Sequence, residues 1–263
     1  MTQTFLQRVQ ILSVMLRRDF AVMGTTVRAS LIDCTIQAAV MVFLQGYLFP
    51  YMGMPSIYIG ALCIGSIVLF LLMQNSNMSF RMQTDILYGG FTRYQLTLPL
   101  PKNWFLARYV IRFAVQTACI SLPTLIFSFI VLHDRIPNLA VRPGLFLIMY
   151  ALVLVTISSL LIALGLVHDF AWLRANLWRR RLDPLLMLST VFCSWQAVYA
   201  FSPKIAMLLL CNPVTHAVES LRTSLLHFDN APSLWLSAGV LVMTIGFNCY
   251  CMKIGLIRRL DPV

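Results

Sequence analysis

Asn212-Pro213-Val214-Thr215-His216-Ala217-Val218-Glu219-Ser220-Leu221-Arg222-Thr223-Ser224-Leu225-Leu226 decides how this chain is read. The leading asparagine can cap a helix by accepting from the first-turn backbone, and proline suits a first turn that needs no donor. Val214, Val218, Leu221 and Leu225 recur at spacings of four, three and four and make one apolar stripe. Glu219 and Arg222 stand three apart and can meet on the helix surface. The segment is too polar and too short to cross a bilayer. Yet Pro184 to Phe201 and Leu234 to Cys251, both apolar, flank it. A capped, charged, amphipathic helix between two membrane segments is expected to lie on the membrane surface or dip part of the way into it.

Composition supports that setting. The 263 residues are 59% hydrophobic and only 11% charged, with mean hydropathy +0.80. A soluble domain is normally about 25% charged. The chain therefore reads as one all-α, polytopic membrane domain over residues 1–263. Its net charge of +11 would suggest nucleic acid in a soluble protein. Here the basic residues cluster between apolar spans, as membrane topology requires, and no soluble domain presents them to nucleic acid. The N-terminal segment lacks an uninterrupted apolar core and a small-residue cleavage site, so no cleavable signal is read there. The seven cysteines form no C-x-x-C pair and sit in or beside apolar spans, where they read as small apolar side chains. Cys249-Tyr250-Cys251 has no further ligands near it in sequence to make a soft-metal site.

Thr4 to Gly24 reads as an amphipathic interface helix. Phe5, Val9, Leu12, Leu16, Phe20 and Met23 fall in one arc at about 100° per residue, with Gln7, Gln10, Arg17 and Arg18 opposite. Six spans follow: Ala29 to Phe49, Ser56 to Met73, Phe113 to Leu132, Gly144 to Val167, Pro184 to Phe201 and Leu234 to Cys251. Each is measured against about 30 Å of hydrocarbon. Asp33 and Gln37 share a face of the first span. Asp33 is one turn inside, where pairing with Arg28 at the interface is favoured over a place on a polar path. Gly89-Gly90 can break the helix that leaves the second span, and Phe91 to Leu98 can form a short helix stopped by Pro99 and Pro101. Pro123 falls within the third span, which membrane helices tolerate. Arg179, Arg180 and Arg181 sit where anionic lipid is expected.

With both termini placed in the cytoplasm, all of the 20 Lys and Arg except Arg135, Arg142, Lys204 and Arg222 fall in cytoplasmic segments. That orientation puts the Asn212 helix on the outer side. No G-x-x-x-x-G-K-[ST], H-E-x-x-H or G-x-S-x-G occurs, so neither ATP hydrolysis nor a hydrolase site is read from this chain. His216 lies three before Glu219, but no nucleophile motif accompanies them, and the pair reads as neighbours on a helix.

At this point the chain resembles a membrane subunit of the type 2 ABC exporters. That family has an interface helix, six spans, a coupling helix between the second and third, and re-entrant helices before the sixth, and each has a counterpart here. The most specific piece is Asn212 to Arg222, similar to the family's Asn-Pro-Leu-Thr, acidic, Arg signature. The second is Leu96-Thr97-Leu98-Pro99-Leu100-Pro101, similar to the segment that ends the coupling helix. The family often carries a Ser-Gly-aromatic-Pro cluster late in the fifth span. The comparable region here reads Leu188-Ser189-Thr190-Val191-Phe192-Cys193, without glycine.

The resemblance implies a permease that carries no catalytic residue, metal or bound cofactor of its own. It pairs with a second copy or a homologous permease in the cell membrane, a bacterial inner membrane. A separate ATPase subunit holds ATP and Mg. The coupling loop would be 81–104, with Gly89, Gly90, Phe91, Thr97, Leu98 and Pro99 at the ATPase contact. Asp33, Gln37, Gln74, Asn75 and Gln196 would line the path. The outer re-entrant segment would be 203–230, held by Asn212, Pro213, Glu219 and Arg222. The cargo would be a lipid, a glycan-lipid or a drug-like amphiphile. The alternatives are an ion-coupled secondary transporter, for which inverted repeats and paired intramembrane charges are expected, and a non-transporting membrane scaffold.

Overall fold

The computed structural model describes residues 5–89, 102–135, 142–225 and 232–260; these are helical apart from short turns, with no strand among them. In chain order the helices are α1 (Phe5–Phe43), α2 (Ser56–Thr84), α3 (Lys102–Arg135), α4 (Pro143–Val167), α5 (Phe170–Asn176), α6 (Asp183–Met187), α7 (Trp195–Phe201), α8 (Pro203–Leu209), α9 (Pro213–Leu225) and α10 (Leu234–Leu260). Five of them, α1, α2, α3, α4 and α10, are long and apolar enough to cross a membrane. They coincide with five of the six expected spans.

Pro184 to Phe201, the remaining expected span, is not one helix. α6 stops at Met187, the backbone runs irregularly through residues 188–194, and α7 begins at Trp195. The run is apolar enough for a span, but its middle carbonyls are taken by side chains of another helix, described below.

α1 also departs from expectation. It runs 39 residues without a break, about 58 Å at 1.5 Å per residue. The boundary between the interface helix expected over 4–24 and the first span therefore lies inside one rod. No proline falls between Gly24 and Arg28, and one glycine inside a helix costs only about 1 kcal/mol. Met15 and Asp19 are buried, Leu12, Leu16 and Met23 are half-buried, and Val9 and Phe20 are exposed. α1 widens into a π-helical turn at Leu44–Leu48 and ends in a short helix, Phe49–Tyr51. The chain then reverses through Gly53, whose φ of 84° suits glycine.

α2 continues well past Met73, because Gln74, Asn75 and Ser76 do not stop a helix, and it widens to a π-helical turn at Asp85–Gly89. Gly89 is the last residue of that turn, and Gly90, the other half of the expected break, lies outside the described residues.

α2 and α4 form the centre. The apolar window of α2 is 72% buried, that of α1 only 12%. Ile64, Ile67 and Leu71 of α2 pack with Val153, Ile157 and Leu161 of α4 and with the stripe Val214, Val218, Leu221 and Leu225 of α9. A second cluster joins Phe105, Tyr109 and Phe113 of α3 to Met78 and Met82 of α2 and to Met252 and Leu256 of α10. The rim is apolar outward as well. Ile32, Ile36, Val40 and Phe43 line the exposed face of α1, and Trp235, Val242, Met243 and Phe247 that of α10. Apolar surface on this scale is a liability in water and suits hydrocarbon.

Candidate functional site

Asn212, His216, Glu219 and Arg222 recur every three or four residues and make a polar face along α9, opposite its apolar stripe. Both faces are covered. Glu219 is 2% exposed and Arg222 is fully buried, and α2, α4 and α10 pack around the helix. The helix, expected to lie on the membrane surface or dip part of the way into it, is covered by protein on both faces.

Three of these four side chains hold backbone, and the fourth, Glu219, pairs with Arg222. Asn212 Oδ1 accepts from the Val214 N–H at 2.9 Å, which is the expected cap. Its Nδ2 donates to the carbonyls of Leu185 at 2.6 Å and Leu188 at 2.8 Å, at the open end of α6. His216 Nε2 lies 2.8 Å from the Leu210 carbonyl, so that nitrogen carries the proton, and Nδ1 accepts from the Ser237 hydroxyl at 3.2 Å. Both ring nitrogens are engaged, and the imidazole braces α10 to the turn before α9.

Arg222 does most. Its Nη1 meets Glu219 Oε1 at 2.6 Å and donates to the Cys193 carbonyl at 2.9 Å. Nη2 and Nε reach the Ala61 carbonyl of α2 at 2.7 and 3.2 Å, and Nη2 lies 3.4 Å from the Val191 carbonyl. One planar fork thus holds an acid and three carbonyls from two other elements, a geometry lysine cannot reproduce. This explains why residues 188–194 can be irregular inside a helical bundle. Carbonyls released by the break would be left bare in an apolar interior, at roughly 1–3 kcal/mol each, and a charged donor supplies their hydrogen bonds.

The close approach also needs Gly65. A Cβ there would overlap the Val191 carbonyl, and both elements are buried. Gly65→Ala is expected to destabilise the chain by about 1–3 kcal/mol. Gly246→Ala on α10, where a new Cβ meets nothing within 4 Å, is the matched control and should melt at or slightly above the parent. Equal melting temperatures for both variants in detergent would contradict the packing described.

A second polar seam joins α2, α4 and α10. Ser158 of α4 donates to Asn75 Oδ1 at 3.1 Å, Ser79 of α2 to the Leu161 carbonyl at 2.9 Å, and Asn248 of α10 to Ser159 at 3.0 Å. At the C-terminal end of α4, Gln83 donates to the Gly165 and His168 carbonyls. Arg259 donates to those two and to Leu166. An amide and a guanidinium from two neighbouring helices thus cap the helix end, and the cation complements its dipole. His168 stacks on Trp172 at 3.9 Å. Burial first, and then the Arg181 charge, push its imidazole below the ordinary range, which keeps one more positive charge out of a basic corner.

The residues expected on a path are divided. Gln37 contacts the Met73 sulfur at 3.7 Å and Gln74 the Cys34 sulfur at 3.4 Å, so these two share the seam between α1 and α2. Asp33 is exposed on the outer side of α1. Asn75 turns the other way, into the α2–α4 interior, and Gln196 stands half-buried on α7. Of the expected coupling residues, Gly89 ends the π-helical turn after α2, while Gly90, Phe91, Thr97, Leu98 and Pro99 lie outside the described residues. Pro213, Glu219 and Arg222 come together with Asn212 on α9, as reported above.

One pair was not anticipated. Asp19 of α1 accepts from Arg108 of α3 through two bonds, at 2.6 and 2.5 Å, and both side chains are buried. Arg112 stands 4.0 Å from the same carboxylate. A lone acid beside Arg17 and Arg18 was the available signal, since an acid inside a basic segment calls for a cationic partner across the fold. Among the described residues no group of three or more His, Cys, Asp or Glu is arranged to hold a metal. Comparison of the chain with family models, with curated proteins and with solved structures gives no match.

Proposed function

We propose that this chain is the permease subunit of an ATP-driven exporter of the type 2 ABC class, in a cell membrane with both termini cytoplasmic. The observation that carries the reading is the arrangement at α9. The helix opens on Asn212-Pro213-Val214-Thr215, pairs Glu219 with Arg222, and lies buried against a chain segment that is broken where Arg222 holds it. On this reading residues 183–201 are the fifth of six crossings, made in two pieces. α8 and α9 are a hairpin that dips from the outer side and returns. Two contacts support the dip: the head of α9 touches Leu185 and Leu188, and its last turn meets the Arg142 N–H at 3.4 Å, just before α4. Irregular backbone at membrane depth is tolerated where protein satisfies it, and Arg222 and Asn212 do so here.

The remaining parts follow the same reading. A separate ATPase binds ATP and Mg and contacts the segment from Gly89 to Pro99. Two permeases, identical or homologous, enclose the path. The cargo is a lipid, glycan-lipid or drug-like amphiphile.

Purification of the tagged chain in a mild detergent, followed by mass spectrometry, tests it. The expected result is a stoichiometric ATPase with a Walker motif, whose ATP turnover is uncoupled from transport by Gly90→Trp or Leu98→Trp. A chain that purifies alone from several detergents, with no ATPase activity in the extract, would move the assignment to an ion-driven transporter or a scaffold.

A further inference from the structure

A cleft of about 310 Å³ opens between α1, α2 and α3. Ligand pockets start at about this size, so it suits a headgroup and not a whole lipid. Arg18, Arg81 and Arg112 line it, one from each helix, together with Asp19 and Asp85. Asp19 is already the bidentate partner of Arg108. Among the described residues around the cleft, four guanidinium groups therefore meet two carboxylates, a surplus of positive charge. Like charges gathered around one cleft repel, and an anion between them relieves that. Arg112 adds a second observation. Its side chain is 28% exposed, so the cleft reaches it, yet its Nε is buried and has no hydrogen-bond partner. Arg112 thus keeps an unused charged donor beside the cleft.

The other surfaces of the cleft point to the rest of the ligand. Met82 and Phe113 are apolar walls, and Val22, 58% exposed, forms the rim on the outward face of α1. A ligand with its anionic end among the arginines can lay an apolar tail past Val22 along the exposed apolar side of α1. We propose that this cleft binds the phosphate of an anionic amphiphile, with Arg112 and Arg81 as its principal donors and Arg18 closing the site. Guanidinium forks match phosphate oxygens with paired, charge-assisted hydrogen bonds. The proposal rests on the membrane setting of the chain and is independent of an ATPase partner.

Native mass spectrometry of the full chain in a nonionic detergent tests it, with phosphatidylglycerol, phosphatidylcholine and inorganic phosphate as probes. Phosphatidylglycerol is expected to be retained, and phosphatidylcholine, whose ammonium opposes the arginines, to be retained about tenfold less. Arg112→Gln and Arg81→Gln should each weaken phosphatidylglycerol retention by about tenfold. Arg81 is exposed, so its variant leaves the packing intact, while Arg174→Gln, an exposed arginine on α5, should change nothing. Equal retention of phosphatidylglycerol by all three variants would overturn the site. Displacement of phosphatidylglycerol by inorganic phosphate at equal concentration would overturn the amphiphile and leave a free-anion site. Failure to find an ATPase with the chain would touch neither result.

Discussion

Arg222→Leu is expected to lower the melting temperature of the detergent-solubilised chain by on the order of 10 °C. The leucine leaves Glu219 buried without a partner and strips the donors from the Ala61, Val191 and Cys193 carbonyls. Breaking a buried pair from one side costs about 3–5 kcal/mol, and the bared carbonyls add to that. Arg222→Lys is expected to recover the charge but little of the stability, since one ammonium cannot serve two elements at once. Glu219→Gln combined with Arg222→Leu should recover the part due to the stranded carboxylate and no more. The recovery measures the coupling between the two residues. A parent-like melting curve for Arg222→Leu would show that the broken segment holds itself.

Asp19→Ala is expected to act at the other edge of the molecule, with a loss of about 3–5 kcal/mol. Arg108 is 1% exposed and would lose the carboxylate that its guanidinium grips with two bonds. Because this pair ties α1 to α3, the loss should show locally before it shows globally. Limited trypsin treatment is expected to cut the variant at Arg17 and Arg18, which are exposed but helical in the parent, at an early stage of digestion. Adding Arg108→Met removes the stranded charge and should restore much of the melting temperature, though not the resistance to trypsin. If Asp19→Ala digests at the parent rate, the ion pair is not what fastens this end of α1.

These two arginines show where sequence reading reaches and where it stops. The α4 and α10 spans were legible almost to the residue at their starts, because the long apolar runs follow a polar loop that ends at Arg142 and a turn sequence from Asp229 to Pro232. The start of α9 was legible from Asn212 and Pro213, and the meeting of Glu219 with Arg222 from their spacing. Their burial was not, because two charges in a 13-residue helix look like a water-facing surface. The break at residues 188–194 was hidden for a related reason. Nothing in Leu188 to Ser194 forbids a helix. What ends it is a guanidinium from α9 and a missing side chain at Gly65, neither of them a neighbour in sequence. On α1 the apolar arc gave no sign that Asp19 is drawn inward, since its partner Arg108 lies on another helix. The residues expected on a path face different neighbours, because composition identifies polar groups within spans but not which neighbour each one faces.

The cap on α4 has a bearing on how the chain is made. Its carbonyls emerge from the ribosome with Gln83 long since synthesised, but His168 precedes Arg259 by 91 positions. At about 5–20 residues per second, that is a delay of roughly 5–20 s. During this interval the amide alone covers Gly165 and His168, and the Leu166 carbonyl waits. Assembly of α2 with α4 can therefore precede the arrival of α10, while the three-helix unit is locked only when its last member docks. A nascent chain stalled before Arg259 would present an unfinished helix end, a mark by which quality control could tell it from a completed one.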